Sequence, residues 1–182
     1  LEWLEPFGFN NTFAVIIRVE DSLRLGITSI SEAIAYTPKW TVGFGYEFME
    51  RTDGFSGLVD TYGLRFKNVP RVMELGLIYR ALSQKEVDLI AGNSTDGLID
   101  ALGLQVLEDD KHYFSPYDAI PVFRSETLTR HPQLRKVIDA LGGTISETAM
   151  RRMNYQVDAG GRMVREVVGE FLDGLSSLKT GN

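Results

Sequence analysis

Apolar and polar positions along the chain fall into two textures. In the first part, short β-branched and aromatic runs alternate with brief segments of helical period; in the last part only the helical period remains. Thr12 to Arg18 (Thr-Phe-Ala-Val-Ile-Ile-Arg) predicts a buried strand, and Trp40 to Gly45, Val87 to Ala91, Gln105 to Glu108 and Ile120 to Arg124 predict others. Lys67 to Glu74 reads as extended. Between them, Ser29 with Glu32 forms a capping box that opens a helix through Tyr36, closed by Pro38. Tyr46 to Glu50 is a short helical turn running into the turn signal Asp53-Gly54. Helices follow over Phe55 to Tyr62, stopped by Gly63, and over Leu77 to Leu82. Another is capped by Ser94 and ends at Gly103. This alternation predicts an α/β fold with a mainly parallel sheet.

Beyond residue 130 the pattern is helical. Pro132 stands where a helix takes proline at its first position, and Leu134, Val137, Ile138 and Leu141 recur at i, i+3, i+4 and i+7. Gly142-Gly143 ends that helix, and Thr144 with Glu147 reads as a second capping box. In the last helix Val164, Val167, Val168, Phe171, Leu172 and Leu175 share one face. These faces need a sheet to cover them, and the lone strand near Ile120 is too little, so they predict a partner that the chain does not contain. The apolar start Leu1-Glu2-Trp3-Leu4 reads in the same way, as a cut inside a larger body. The Val164 to Leu175 stripe accordingly predicts a homo-oligomer, or exchange of that segment between copies.

Composition narrows the function. The 182 residues carry a formal net charge of −6 and are 43% hydrophobic, enough for a sizeable core and without the basic footprint of a nucleic-acid binder. Cysteine is absent, which excludes disulfides and thiol nucleophiles. The two histidines, His112 and His131, make no zinc-ligand spacing, and no apolar run reaches the roughly 20 residues of a membrane helix. No secretory leader is visible. Asp109-Asp110-Lys111 reads as an acidic turn after a strand, not as a metal loop or an acid–base pair. Nothing marks a cofactor site or a set of catalytic groups.

What remains is chemistry for holding a small charged solute. Gly92-Asn93-Ser94-Thr95-Asp96-Gly97 places small polar residues at the end of a strand, where α/β sheets put ligands. Asn10-Asn11-Thr12-Phe13 is at its plainest a turn, but Asn11 offers an amide and Phe13 a ring face. Arg51 is either an ordinary helix ion pair with Glu47 or a two-point fork for a carboxylate. Tyr117 follows Phe114-Ser115-Pro116, where proline favours an extended crossover, so it either packs or offers a face to a quaternary ammonium.

Together these motifs resemble one family. The order Asn10 to Phe13, Glu47 to Leu58, Ser94 to Gly97, Leu104 to Asp110 and Phe114 to Tyr117 is similar, over nearly the whole chain, to substrate-binding components of osmoprotectant ABC importers. These are of the glycine betaine/choline/carnitine type. The resemblance implies a type II periplasmic-binding-protein-like fold with residues 10–116 as one lobe. It makes residues 119–182 the C-terminal part of an incomplete other lobe, with crossovers near 8–13 and 114–119. It further implies ligand contacts from Asn11, Phe13, Arg51, Asn93, Thr95 and Tyr117, with Thr95 and Asp96 structural at the cleft. Phe13 stands where the family usually has tyrosine, and Asn93 where it has another cage tyrosine. The implied function is solute binding at low affinity or altered specificity, with a quaternary ammonium or zwitterionic solute and an ABC permease as partners. The implied location is periplasmic, or extracellular and membrane-associated. The residues leave open a different zwitterion such as an amino acid, or an interaction module that binds no solute.

Overall fold

The computed structural model describes residues 1–180, with side chains described through Leu175. After β1 (Glu2–Trp3) the chain forms β2 (Phe13–Arg18), α1 (Val19–Leu25), α2 (Ile30–Ala33), β3 (Val42–Phe44), α3 (Tyr46–Glu50) and α4 (Phe55–Tyr62). It continues through β4 (Arg71–Val72), α5 (Leu75–Ser83), β5 (Leu89–Asn93), α6 (Gly97–Ala101) and β6 (Leu104–Val106). The last part holds β7 (Val122–Phe123), α7 (Ser125–Arg130), α8 (Pro132–Asp139), α9 (Glu147–Asp158) and α10 (Val164–Thr180).

Five strands form one sheet in the order β4-β3-β5-β2-β6. The expectation of a mainly parallel sheet needs refinement: β3 is parallel to β4 and β5, but β2 is antiparallel to both β5 and β6. The reason is topological. The crossover through α6 leaves a gap between the parallel strands β5 and β6, and β2, already made, fills it from the opposite direction. Because β2 comes first in the chain, alternation along the sequence does not reveal this.

β2 explains why its sequence is apolar without a break. Val15 and Ile17 face one core with Ile30, Val42, Phe44, Phe48 and Leu58. Ala14 and Ile16 face the other with Ile78, Tyr79, Leu82 and Ile90. A strand covered on both faces needs apolar residues at every position. Each large side chain so buried contributes about 1.5–3 kcal/mol. β2 ends on Arg18, itself buried at 8% exposure. Its guanidinium donates to the Leu82 and Val87 carbonyls and to Asp21 and Asp88, and Asp88 accepts the Thr41 N–H. One buried cation thus ties together the far ends of β2, α5 and the approaches to β3 and β5.

At the other end of β2 the chain enters through a two-stranded ribbon. Leu4, Phe7 and Asn11 donate backbone N–H groups to the carbonyls of Pro121, Ala119 and Tyr117, and Ala119 donates back to Phe9. β1 and β7 extend this antiparallel pairing, so the strand expected near Ile120 lies outside the main sheet.

Two expected caps shift. Ser94 does not cap α6; its hydroxyl donates to the Asn10 carbonyl, and Asp96 takes the cap position. α9 is capped by Ser146, which accepts from the Ala149 N–H, whereas Thr144 donates its hydroxyl to Leu141. The Ser29–Glu32 capping box is present as expected. The late helices find partial cover inside the chain, and neither α8 nor α9 has a buried residue. α9 lies against α6 so closely that a Cβ on Gly97 would stand 2.4 Å from the Tyr155 nitrogen. Asn154 also donates to the Thr95 carbonyl at 2.9 Å. On α10, Val167 is buried while Val164, Val168 and Leu172 remain largely exposed.

Replacing Arg18 with methionine strands two carboxylates and two carbonyls, so Arg18→Met is expected to lower the unfolding free energy by about 3 kcal/mol in a urea titration. A loss below about 1 kcal/mol would show that Arg18 does not tie the sheet ends together.

Candidate functional site

The ribbon and the N-terminal end of β2 open onto a cavity of about 410 Å³ lined by Asn11, Thr12, Phe13, Glu47, Arg51, Asp53, Asn93, Phe114, Ser115 and Tyr117. Four separate stretches of chain supply these groups. β2 brings Phe13, with Asn11 in its approach, and β5 brings Asn93, whose backbone is paired with that of Phe13. The turn after α3 brings Arg51 and Asp53. The returning ribbon brings Phe114, Ser115 and Tyr117.

Phe13 is braced rather than free. Its ring meets Phe48 edge-on at 5.0 Å between centroids and Phe114 at 6.2 Å. Phe114 is carried there by a loop folded around one carboxylate. Asp109 accepts the Tyr113 N–H at 3.0 Å and the Phe114 N–H at 2.8 Å, and it also accepts the Tyr62 hydroxyl. Partial burial, and then the Asp109 carboxylate, push the Tyr62 phenol well above its usual range. Tyr113 then reaches the Gly54 carbonyl at 2.9 Å, over a position where only glycine fits: a Cβ on Gly57 would meet its hydroxyl at 2.3 Å. Asp109 and Asp110 are therefore structural acceptors, the latter taking the Ser31 N–H.

The Asn-Asn pair does two jobs. Asn10 accepts the Tyr117 N–H at 2.6 Å and so holds the ribbon beside the cavity. The side-chain carbonyl of Asn11 accepts the Thr95 hydroxyl at 2.6 Å, which leaves the Asn11 amide N–H groups as its remaining donors. Thr95 is itself buried at 6% exposure and does not line the cavity; it orients a residue that does. The loop carrying Asn93 and Thr95 is fixed from below, where Tyr79 donates to Asp96 at 2.8 Å. Burial, reinforced by the Asp96 charge, drives the Tyr79 phenol far above its normal pKa, so it stays a donor. Gly92 must lack a side chain, because a Cβ would fall 2.0 Å from the Tyr79 hydroxyl.

Arg51 is the one cation among the lining groups. Its Nε and Nη2 donate to the two Asp53 oxygens at 2.8 Å each, and Nη1 donates to Glu47 at 3.3 Å. Its guanidinium carbon stands 5.6 Å from the Phe13 ring centroid. The Asp53 hydrogen bond and charge hold the guanidinium above its usual pKa and Asp53 below the usual carboxylate range. Arg51 is therefore an ion pair, as the first sequence reading expects, and it also faces the cavity.

Of the six residues anticipated, Asn11, Phe13, Arg51, Asn93 and Tyr117 thus share one cavity, and Thr95 stands behind them. Sequence reasoning did not assign Phe114, Asp53, Glu47, Thr12 or Ser115 to it. Phe114 had a signal, an aromatic just before the proline crossover. Among the described residues no cluster of acidic or histidine side chains is arranged to hold a metal ion, and no helix is long and apolar enough to cross a membrane.

Removing the Thr95 hydroxyl frees Asn11 to rotate. Thr95→Val is expected to cost about 1–2 kcal/mol of stability and to shift the Asn11 side-chain amide signals in a nitrogen–proton correlation spectrum. An unchanged amide pair would contradict the orienting role.

Residues 1–174 match the family described as the substrate binding domain of ABC-type glycine betaine transport systems. The chain is 34% identical to the carnitine transport binding protein OpuCC of Listeria monocytogenes, over 93% of this chain and 55% of that protein. It is 35% identical to a glycine-betaine-binding protein of Pseudomonas aeruginosa, over 94% of this chain and 58% of that protein. It therefore spans little more than half the length of these relatives. A crystal structure of a glycine betaine/carnitine/choline ABC transporter superposes with a TM-score of 0.89 at 36% identity, covering 94% of this chain and 63% of that one. With the fold of periplasmic binding proteins and a family match along nearly its whole length, the chain belongs to the substrate-binding domains of ABC-type glycine betaine transport systems.

Proposed function

We propose that the cavity between the ribbon and the end of β2 holds a quaternary ammonium solute and delivers it to an ABC permease. The trimethylammonium lies against the faces of Phe13 and Tyr117, and a carboxylate takes the remaining N–H groups of Arg51 and Asn11. A cation held by aromatic faces gains about 0.5–2 kcal/mol per ring without any hydrogen bond, which is the recognition open to a methylated nitrogen. In this reading residues 10–116 form one lobe and residues 119–182 belong to the other. The paired segments near 8–13 and 114–119 are the crossovers, about which the lobes close on the ligand. The protein binds and releases its solute without chemical change, outside the cytoplasmic membrane. The observation that carries the reading is the convergence of Asn11, Phe13, Arg51, Asn93 and Tyr117 on a single cavity.

Asn93 favours a second reading. It lines the cavity where a ring would complete the cage, and its amide suits a solute with N–H or O–H groups, such as an amino acid. Restoring an aromatic face separates the two. Asn93→Tyr is expected to tighten glycine betaine binding roughly 2- to 30-fold if the solute is a quaternary ammonium. Competition by unmethylated amino acids would favour the second reading.

Calorimetric titration of the full-length protein with glycine betaine, choline and carnitine is the test. Heat with at least one of them is expected. No heat with any at millimolar concentration would contradict the ligand class.

A further inference from the structure

The carboxylates around Arg51 call for an explanation. A ligand carboxylate is expected at this guanidinium, yet Asp53 and Glu47 already stand against it and line the same cavity. Folding stability does not account for the arrangement. The Arg51 and Asp53 side chains are 46% and 51% exposed, and ion pairs so wet add little to stability.

The geometry of the pair is nevertheless specific. Asp53 makes a planar two-point contact along the Nε edge, and Glu47 takes one donor from Nη1. Guanidinium has five N–H donors, so one remains on each terminal nitrogen. The turn that brings Asp53 back beside Arg51 is itself fixed. The Gly54 N–H donates to the Arg51 carbonyl at 3.1 Å, and a Cβ on Gly54 would fall 2.0 Å from the Phe48 carbonyl oxygen. Only glycine can follow Asp53 here, and Phe48 belongs to the same aromatic stack as Phe13. A free arginine side chain would lose much rotamer freedom on capturing a ligand; one already held loses little.

We propose that Asp53 is a positioning residue for ligand recognition. Its carboxylate clamps the Arg51 guanidinium beside Phe13 and leaves one N–H on each terminal nitrogen for the ligand's carboxylate. The inference rests on the reading above, that the cavity takes a carboxylated quaternary ammonium. It adds a residue that touches no ligand and acts through another.

Glycine betaine and choline share a trimethylammonium and differ in the carboxylate, so the ratio of their affinities isolates the clamp. Titration of the full-length protein and its Asp53→Asn and Asp53→Glu variants is expected to show betaine binding weakened about tenfold in Asp53→Asn. Choline should change less than about twofold, with betaine affinity partly restored in Asp53→Glu. Thermal melting of each variant reports folding separately. Betaine binding that tightens relative to choline in Asp53→Asn would overturn the proposal and make Asp53 a competitor of the ligand. Equal weakening of both ligands, or no change in either, would also overturn it. So would an unmodified protein that binds choline but not betaine. Failure of the unmodified protein to bind either would instead remove the underlying reading, and the proposal with it.

Discussion

The burial of β2 on both faces is the constraint on which the rest of the molecule depends. A strand covered by two cores cannot slip or tilt, because a shift of one residue would exchange Val15 and Ile17 for Ala14 and Ile16 on opposite faces. Arg18 closes its far end with bonds to two carbonyls and two carboxylates. Its near end is thereby fixed in space, and there the strand hands over to Phe13, Asn11 and the ribbon. The cavity-lining groups sit where the rigid part of the strand stops.

Around that fixed point the site is built by supports that never face the cavity. Tyr79 holds Asp96 and so the loop of Asn93; Thr95 holds Asn11; Asn10 holds Tyr117; Asp109 holds Phe114. Thr95 and Asn10 reach partners far along the chain, whereas Asp109 folds its own loop. This division of labour explains why so many residues in the shared motifs do not line the cavity. If the solute is the methylated one proposed above, it offers few hydrogen bonds, and selectivity has to come from where rings and one guanidinium are held.

Much of this was legible in the sequence, and what was not has physical causes. The strand of Phe13–Arg18, the Ser29–Glu32 capping box and the stop at Gly63 follow from local propensity, and all are present. The place of β2 in the sheet was not legible, because an antiparallel strand inserted between two parallel ones leaves no trace in alternation. Ser94 was misread as a cap because a serine ahead of a helix serves equally well as a donor to a distant carbonyl, here that of Asn10. The late helices are largely uncovered, as their faces predict, apart from the approach of α9 to α6 at Gly97, a glycine whose purpose only packing reveals. Asn11, Phe13, Arg51, Asn93 and Tyr117 were picked out from the chain. Thr95 is picked out too, but its bond to Asn11, 84 residues away, is a matter of tertiary geometry that no local pattern reveals.

The most direct measurement is a crystal structure of the full-length protein with glycine betaine bound. The account predicts the ligand nitrogen within about 6 Å of the ring centroids of Phe13 and Tyr117. It also predicts the carboxylate at the terminal nitrogens of Arg51 while Asp53 keeps its two-point contact. A ligand seated elsewhere, or an Arg51 swung away from the carboxylate, would contradict it.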